Sequence, residues 1–367
     1  MSSRKPERQK RSRARANGRM PSIYDVARVA RVSAYTVSAV INRAGQVSSA
    51  LQKRVEAAVR KLNYRPNLLA RSLARRQTFT IGIIVPDIAN PFFPLVVRGA
   101  EDVLQKAGYS TLLCNSDDQQ EKEAVYLELL LSRRVDGVLL TKTPGKLTPA
   151  LRQLLSDTKI PVTLLMRSSA GLKADTVLTE DAQGAYEAVC HLARIGHRRI
   201  AFVGGPKHVS NAQARHQGYL RALQEHGLKP ERGLMYEGNY RLESGYAAGS
   251  VLLPRRPDAV FAANYLMMAG FMKAATELRL NCPDDFGIVS FDDYPWLAAF
   301  RPRMTTVELP KYEVGRTGAN LLLERISGER TKPVVVRLLP QLRVRESCGF
   351  SLRNRQPHKA HQAASAD

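Results

Sequence analysis

The chain has 367 residues, beyond the ~100–200 typical of one domain, and 44% of them are hydrophobic, an ordinary content for a globular protein with a core. Its net charge of +23 is unevenly spread: residues 1–78 carry 19 Lys and Arg against only Glu7, Asp25 and Glu56, a net +16, which leaves +7 for the rest. A basic head on a nearly balanced body points to a polyanionic partner, although a solvated basic tail or an anionic membrane surface would suit the charge alone.

Residues 1–20 are rich in Arg, Lys and Ser with almost nothing apolar. They read as a disordered basic arm, and the absence of an apolar h-region argues against a signal peptide. Ser22-Ile23-Tyr24-Asp25 then forms a variant of the capping box, opening a short helix with Val26, Ala27, Val29 and Ala30 as its apolar stripe. Ser33 is a second N-cap candidate, for a helix to about Asn42 with Val37, Val40 and Ile41 inward. A third helix is predicted from about Ser49 to Leu62, with Leu51, Val55, Ala58, Val59 and Leu62 at helical spacing. Two short helices joined by a tight turn, with a third packed across them, make a helix-turn-helix. Pro66 ends that unit, and the apolar, basic stretch from Asn67 to Arg76 is too short to be a stable helix alone.

From Thr80 the texture changes. Short β-rich runs at Ile81–Val85, Thr111–Cys114, Gly137–Leu140, Val162–Leu165, Ile200–Val203, Ala259–Ala263 and Gly287–Phe291 alternate with helical patterns. The helical stretches are Pro94–Ala107, Gln119–Arg133, Gln183–Ile195, Ala212–His226 and Leu266–Leu278. This alternation predicts parallel sheets covered on both faces. The length favours two similar lobes, with a ligand in the cleft at the carboxyl ends of the strands.

Cys114, Cys190, Cys282 and Cys348 are scattered, with no C-x-x-C pair and no metal-like clustering with His, as befits core thiols in a reducing cytosol. No apolar run approaches the ~20 residues of a membrane span. No nucleophile elbow, phosphate loop, dinucleotide fingerprint or H-E-x-x-H is present, so no catalytic residue, metal or cofactor is expected. His197, in a strand-entry turn, reads as structural.

These strings together resemble the LacI (lactose-repressor) family of transcriptional regulators. The head carries Ile23-Tyr24-Asp25-Val26-Ala27, Val32-Ser33, Thr36-Val37-Ser38, Val40-Ile41-Asn42 and Val47-Ser48. Asn63-Tyr64-Arg65-Pro66-Asn67 and Ala70-Arg71-Ser72-Leu73 follow. The body adds Ile81-Gly82-Ile83-Ile84-Val85-Pro86, Asn90-Pro91-Phe92-Phe93, Arg134-Val135-Asp136-Gly137, Gly196-His197-Arg198 and Ser290-Phe291-Asp292-Asp293. The resemblance covers Pro21 to about Phe350.

It implies an N-terminal all-α helix-turn-helix head plus an α/β two-lobed, periplasmic-binding-protein-like body. The expected domains are the arm 1–20, the head 21–65, a hinge helix and linker 66–78, the body 79–350 and a disordered tail 351–367. Function would be that of a cytoplasmic homodimeric repressor on a near-palindromic double-stranded operator, modulated by a small-molecule effector such as a sugar. For DNA it implies Ala34, Tyr35 and Ala39 reading base edges, and Ser33, Thr36 and Ser38 gripping phosphate. Ser22, Tyr24, Asn42, Ser48 and Tyr64 would make further backbone contacts, and Asn67, Ala70 and Leu73 would belong to the hinge, with Leu73 as a minor-groove wedge. Tyr64 would also serve to cap the head core, and Leu73 to pack on the body.

For the effector it implies Phe92, Phe93, Asn211, Arg215, Tyr240 and Asp292; Arg215 and Asp292 would also suit a structural ion pair across the cleft. Four positions depart from the pattern: Arg31 where glycine is usual, Ala39 where a long polar residue is common, Val209 for a polar residue, and Asn264-Tyr265 for Asn-Asp. A solute-binding protein would fit the body but not the head, and an enzyme lacks its motifs.

Overall fold

A computed structural model describes residues 21–41, 47–64, 77–145, 147–156, 160–169 and 172–349. The chain divides into two compact units, 1–78 and 79–367.

The first unit contains three helices, α1 (Ile23–Ala30), α2 (Ala34–Ile41) and α3 (Ser49–Leu62). Ser22 and Asp25 close a reciprocal capping box on α1, which satisfies two backbone donors that a helix start leaves open. Arg31 ends α1 at φ 50°, the left-handed turn that glycine adopts more cheaply. The Arg54 guanidinium, from α3, donates to the carbonyls of Ala30 (2.7 Å) and Arg31 (3.0 Å) and so holds this turn. Val26, Val37 and Val55, all fully buried, meet with Ala27, Ala30 and Ala58 in a small core of their own.

The second unit is two α/β lobes. Its elements are β1 (Thr80–Val85), α4 (Phe92–Lys106), β2 (Ser110–Asn115), α5 (Gln120–Ser132), β3 (Gly137–Leu140), α6 (Pro149–Ser156), β4 (Val162–Leu165) and β5 (Asp175–Thr179). Then come α7 (Asp181–Arg194), β6 (Ile200–Gly204), α8 (Ser210–Glu225), β7 (Met235–Glu237), α9 (Leu242–Leu252), β8 (Ala259–Ala262), α10 (Tyr265–Glu277) and β9 (Gly287–Phe291). The chain closes with β10 (Thr305–Glu308), α11 (Lys311–Ser327), β11 (Val335–Leu338) and β12 (Gln341–Arg343).

One sheet runs β11-β5-β4-β3-β1-β2 and the other β12-β10-β9-β8-β6-β7. All recorded pairs are parallel except β10 with β12. Parallel strands covered on both faces must be apolar throughout, as in β1, whose Ile81, Ile83, Ile84 and Val85 are fully buried. The backbone crosses between lobes near residue 180, near 310 and near 340, so each lobe takes its last strand from beyond the other. Helix α11 thereby returns to the first lobe, lying so close to α4 that a Cβ at Gly315 would stand 1.8 Å from the Val96 carbonyl oxygen.

The strands and helices read from apolar runs are present with shifts of one or two residues. β5 and β10 escape that reading because both are short and polar: Asp175, Thr176 and Thr179 in one, Thr305, Thr306 and Glu308 in the other. Asp175 is fixed by Arg325 of α11, whose Nε lies 2.6 Å away, and by the Val334 amide at 2.8 Å. All four cysteines are buried and free. His197 is buried, with Nε2 2.8 Å from the Cys348 carbonyl oxygen, a structural contact.

Candidate functional site

In the head, helix α2 begins at Ser33, whose hydroxyl accepts the Thr36 amide at 3.1 Å and lies 2.9 Å from the Thr36 hydroxyl. Val37 turns inward and is fully buried, which sends Tyr35 outward; it is 83% exposed, and Tyr24 on α1 is 70% exposed. Neither ring contributes to the head core, so both are open to a partner. Ala34, Thr36, Ser38 and Ala39 are partly exposed on α2, and Ser48 is exposed before α3. The Ser22 hydroxyl donates to the Asp25 carboxylate at 2.7 Å within the capping box.

Tyr64 is placed differently from a backbone contact: its ring is 9% exposed and closes the three-helix core, whose few aliphatic side chains leave room for an aromatic wall. Asn42, Asn67, Ala70 and Leu73, with the arm, the hinge helix and the tail, lie outside the described residues.

In the body, a cleft of about 220 Å³ opens between the carboxyl ends of the two sheets. All six expected effector residues line it: Phe92, Phe93, Asn211, Arg215, Tyr240 and Asp292. Phe92 and Phe93 stand at the start of α4 where the core meets the cleft, 6% and 7% exposed, with their rings edge to face at 5.1 Å. Asn211, in the first turn of α8, accepts from the Tyr240 hydroxyl at 3.3 Å. Burial pushes the Tyr240 phenol up to about 12, so it remains a neutral donor near pH 7.

Arg215 does not pair with Asp292. Its Nε and Nη2 both reach Oδ1 of Asp181, at 2.7 and 2.6 Å, while Thr179 donates to Oδ2; Nη1 donates to the Ala263 carbonyl, and the guanidinium lies 3.9 Å from the Phe291 ring centroid. Both side chains of the pair are 4% exposed, a setting where the desolvation cost demands a close partner. The structural ion pair therefore exists, with Asp181 in the role anticipated for Asp292. Asp181 was missed because it opens α7 directly after the polar strand β5, where no apolar run marks a strand end.

That arrangement leaves Asp292 distinctive. It follows β9 at φ 75°, its amide donates to Val307 at 2.9 Å, and its Oδ1 is buried without a hydrogen-bond partner. A buried acceptor with no donor costs about 1–3 kcal/mol, so the site presents an acceptor ready for an incoming hydroxyl or amine. Around it Asn264 caps α10 through Met267 and donates to the Tyr240 carbonyl at 2.9 Å. On the opposite lobe Arg167 forks onto Asp118, Nη2 to Oδ2 being 3.1 Å. Tyr265, next to Asn264, points elsewhere, its ring centroid 5.1 Å from that of Tyr294 and its hydroxyl accepting from Trp296.

A three-helix head with an outward reading surface and a two-lobed body with a polar cleft together define a ligand-responsive DNA-binding regulator. The comparisons agree. Residues 22–67 match the bacterial regulatory proteins of the lacI family, and residues 189–348 the periplasmic binding protein-like domain. Catabolite control protein A of Priestia megaterium is 35% identical over 329 residues, spanning 89% of this chain and 98% of that protein. The PurR repressor of Vibrio vulnificus is 35% identical with the same coverage. The lac repressor dimer bound to operator and the anti-inducer ONPF aligns with TM-score 0.80 and 28% identity, over 90% of this chain and 99% of that one. A CelR–cellobiose complex aligns at TM-score 0.68 and 32% identity, over 89% and 99%. The chain belongs to the LacI family of DNA-binding transcriptional repressors, regulated by sugar or metabolite effectors.

Proposed function

We propose that this regulator, a cytoplasmic homodimer without enzymatic activity, represses by gripping a near-palindromic operator and changes its grip when a polyhydroxylated small molecule fills the cleft. The observation that carries the ligand half is the unpartnered Asp292 oxygen among Phe92, Phe93 and Tyr240: a hydroxyl-bearing ring would stack on the phenyl groups and donate to that oxygen. Arg215, its charge already met by Asp181, lies 5.9 Å from the Tyr240 ring centroid, and Tyr240 in turn bonds Asn211. The DNA half rests on the outward face of α2. Tyr35, Ala34 and Ala39 would read base edges there, with Ser22, Tyr24, Ser33, Thr36, Ser38 and Ser48 on phosphates, Asn42 beside them, and the hinge residues Asn67, Ala70 and Leu73 at the operator centre.

The second copy is suggested by the edge of the first sheet. Strand β2 ends that sheet, and its Leu112 and Leu113 are 39% and 45% exposed. An apolar sheet edge in water invites a matching edge, and two-fold pairing presents two heads to a palindrome.

The test is selection of genomic fragments by the purified protein, then titration of the enriched site and a scrambled control at one salt concentration. The reading expects a palindrome bound ~10³-fold or more tighter than the control. Salt-sensitive binding without sequence preference would reduce the head to an electrostatic anchor.

A further inference from the structure

Beside the cleft lies a second cavity of about 410 Å³, bordered on one lobe by Lys142, Ser168 and Ser169 and on the other by His208 and Ser210, with Arg167 shared between the two spaces. Lys142 follows β3, is only 2% exposed, and has no carboxylate at salt-bridge distance among the described residues. Its ammonium donates to the carbonyls of Thr143 (2.6 Å) and Gly145 (3.1 Å), two of three possible bonds. The turn that carries it is anchored by the buried Glu123, whose Oε2 accepts the Thr143 amide at 2.5 Å and hydroxyl at 2.8 Å.

Lys142 feels the buried carboxylate of Glu123 only from beyond salt-bridge distance, so its cation is incompletely paired, and proteins keep such groups where a ligand completes them. Lys142, His208 and Arg167 border the cavity, Arg167 being already paired with Asp118, and no carboxylate lines it among the described residues. Helix α8, sixteen residues long, starts here with Val209 at its N-cap, so no side chain caps its first amides. Uncapped amides at a helix start and a lysine suit a tetrahedral oxyanion.

Resting on the reading of the cleft as the effector site, we propose that this side cavity receives a phosphate group, so that the effector is a phosphorylated polyol with its ring in the cleft and its phosphate against Lys142. The phosphate would bridge the lobes, since Lys142 belongs to the first and the α8 amides to the second. Its binding would select one lobe arrangement over the other, as a regulating ligand must. Burial lowers the affinity of the Lys142 ammonium for its proton, against the opposing pull of Glu123; a phosphate beside it would raise it again.

The decisive probe is inorganic phosphate, titrated into the full chain with calorimetry and thermal melting, against chloride at equal ionic strength. Ser168→Asp places a negative charge at the exposed rim and spares the fold; Lys142→Met removes the cation at nearly the same length. Phosphate also meets the basic head and stabilises proteins generally, and both effects are shared by the wild type and Ser168→Asp, so their difference isolates the cavity. The proposal expects saturable phosphate binding by the wild type, weakened at least ten-fold in Ser168→Asp. Lys142→Met, where it folds, should match that loss. No saturable binding, or binding equal in the wild type and Ser168→Asp, overturns it. Neutral sugars melted with the wild type and Asp292→Asn test the cleft separately, so a neutral effector would sink the phosphate and leave the cleft reading standing.

Discussion

Asp181 and Asp292 are two buried acids a few residues from strand ends, and their surroundings assign them opposite roles. Asp181 is spent on Arg215, and removing one member of a buried pair strands the other; Asp181→Ala should cost about 3–5 kcal/mol in denaturant unfolding. Asp292 holds nothing on its Oδ1, so its replacement should spare the fold. Asparagine is the substitution to choose because φ 75° suits it better than alanine. Asp292→Asn is expected to melt with the wild type while binding a hydroxyl-bearing effector about ten-fold more weakly, a loss of ~1.4 kcal/mol. Unfolding of Asp292→Asn at markedly lower denaturant would return that residue to a structural role.

Two histidines set a pH dependence at the same scale. Burial is the main force lowering His191 and His216 below the ordinary 6.5. The folded state then binds fewer protons than the unfolded chain once the pH drops under 6.5, so stability is complete above that value and declines as pH falls through the depressed range. Denaturant unfolding between pH 7.5 and pH 5, both round working values near the histidine range, should show that decline. It should be shallower in His216→Leu, and an unchanged slope would rule His216 out as a contributor.

At the scale of elements, the close seats of the fold follow from single residues. Gly315→Ala would drive a methyl into the Val96 carbonyl across α4 and α11; thermal unfolding should report a loss of about 1–3 kcal/mol or more. In the head, Arg31→Gly should relieve the left-handed turn by ~1 kcal/mol, slowing amide exchange in α1 and α2. The Arg54 bonds to the same turn are to carbonyls and survive the change.

The α1 capping box, the Ser33 start of α2 and most strands of the body were legible in the sequence, because capping chemistry and fully buried parallel strands are written in local runs. β5, β7, β10, β11 and β12 were not, since polar or half-exposed strands hold their place through distant partners such as Arg325 with Asp175. The same blindness hid Asp181 and Arg167 from the cleft: a residue's partner 34 or 49 positions away leaves no periodic trace. The six cleft residues carried by family resemblance do meet around one space, but resemblance did not show which acid Arg215 takes.

For the whole molecule, the proposed dimer would bring two heads to one operator under the control of two cleft-bearing bodies. Leu113→Arg sets a charge on the exposed edge of β2, at a residue that lines neither the cleft nor the head core. Sedimentation should find this variant monomeric at concentrations where the wild type is dimeric, and its operator affinity should drop far more than its affinity for scrambled DNA. A variant that stays dimeric would move the interface elsewhere.

The central claim is coupling: occupancy of the cleft alters affinity for the operator, and by reciprocity the operator alters affinity for the ligand, typically by about 1–3 kcal/mol. The measurement is an operator titration at fixed salt, with and without a compound that binds the body, for the wild type and Asp292→Asn. The account predicts that the compound shifts wild-type operator affinity by about 5–150-fold, and that the variant needs roughly ten times more compound for the same shift. A compound that fills the cleft and leaves the operator dissociation constant unchanged would contradict it.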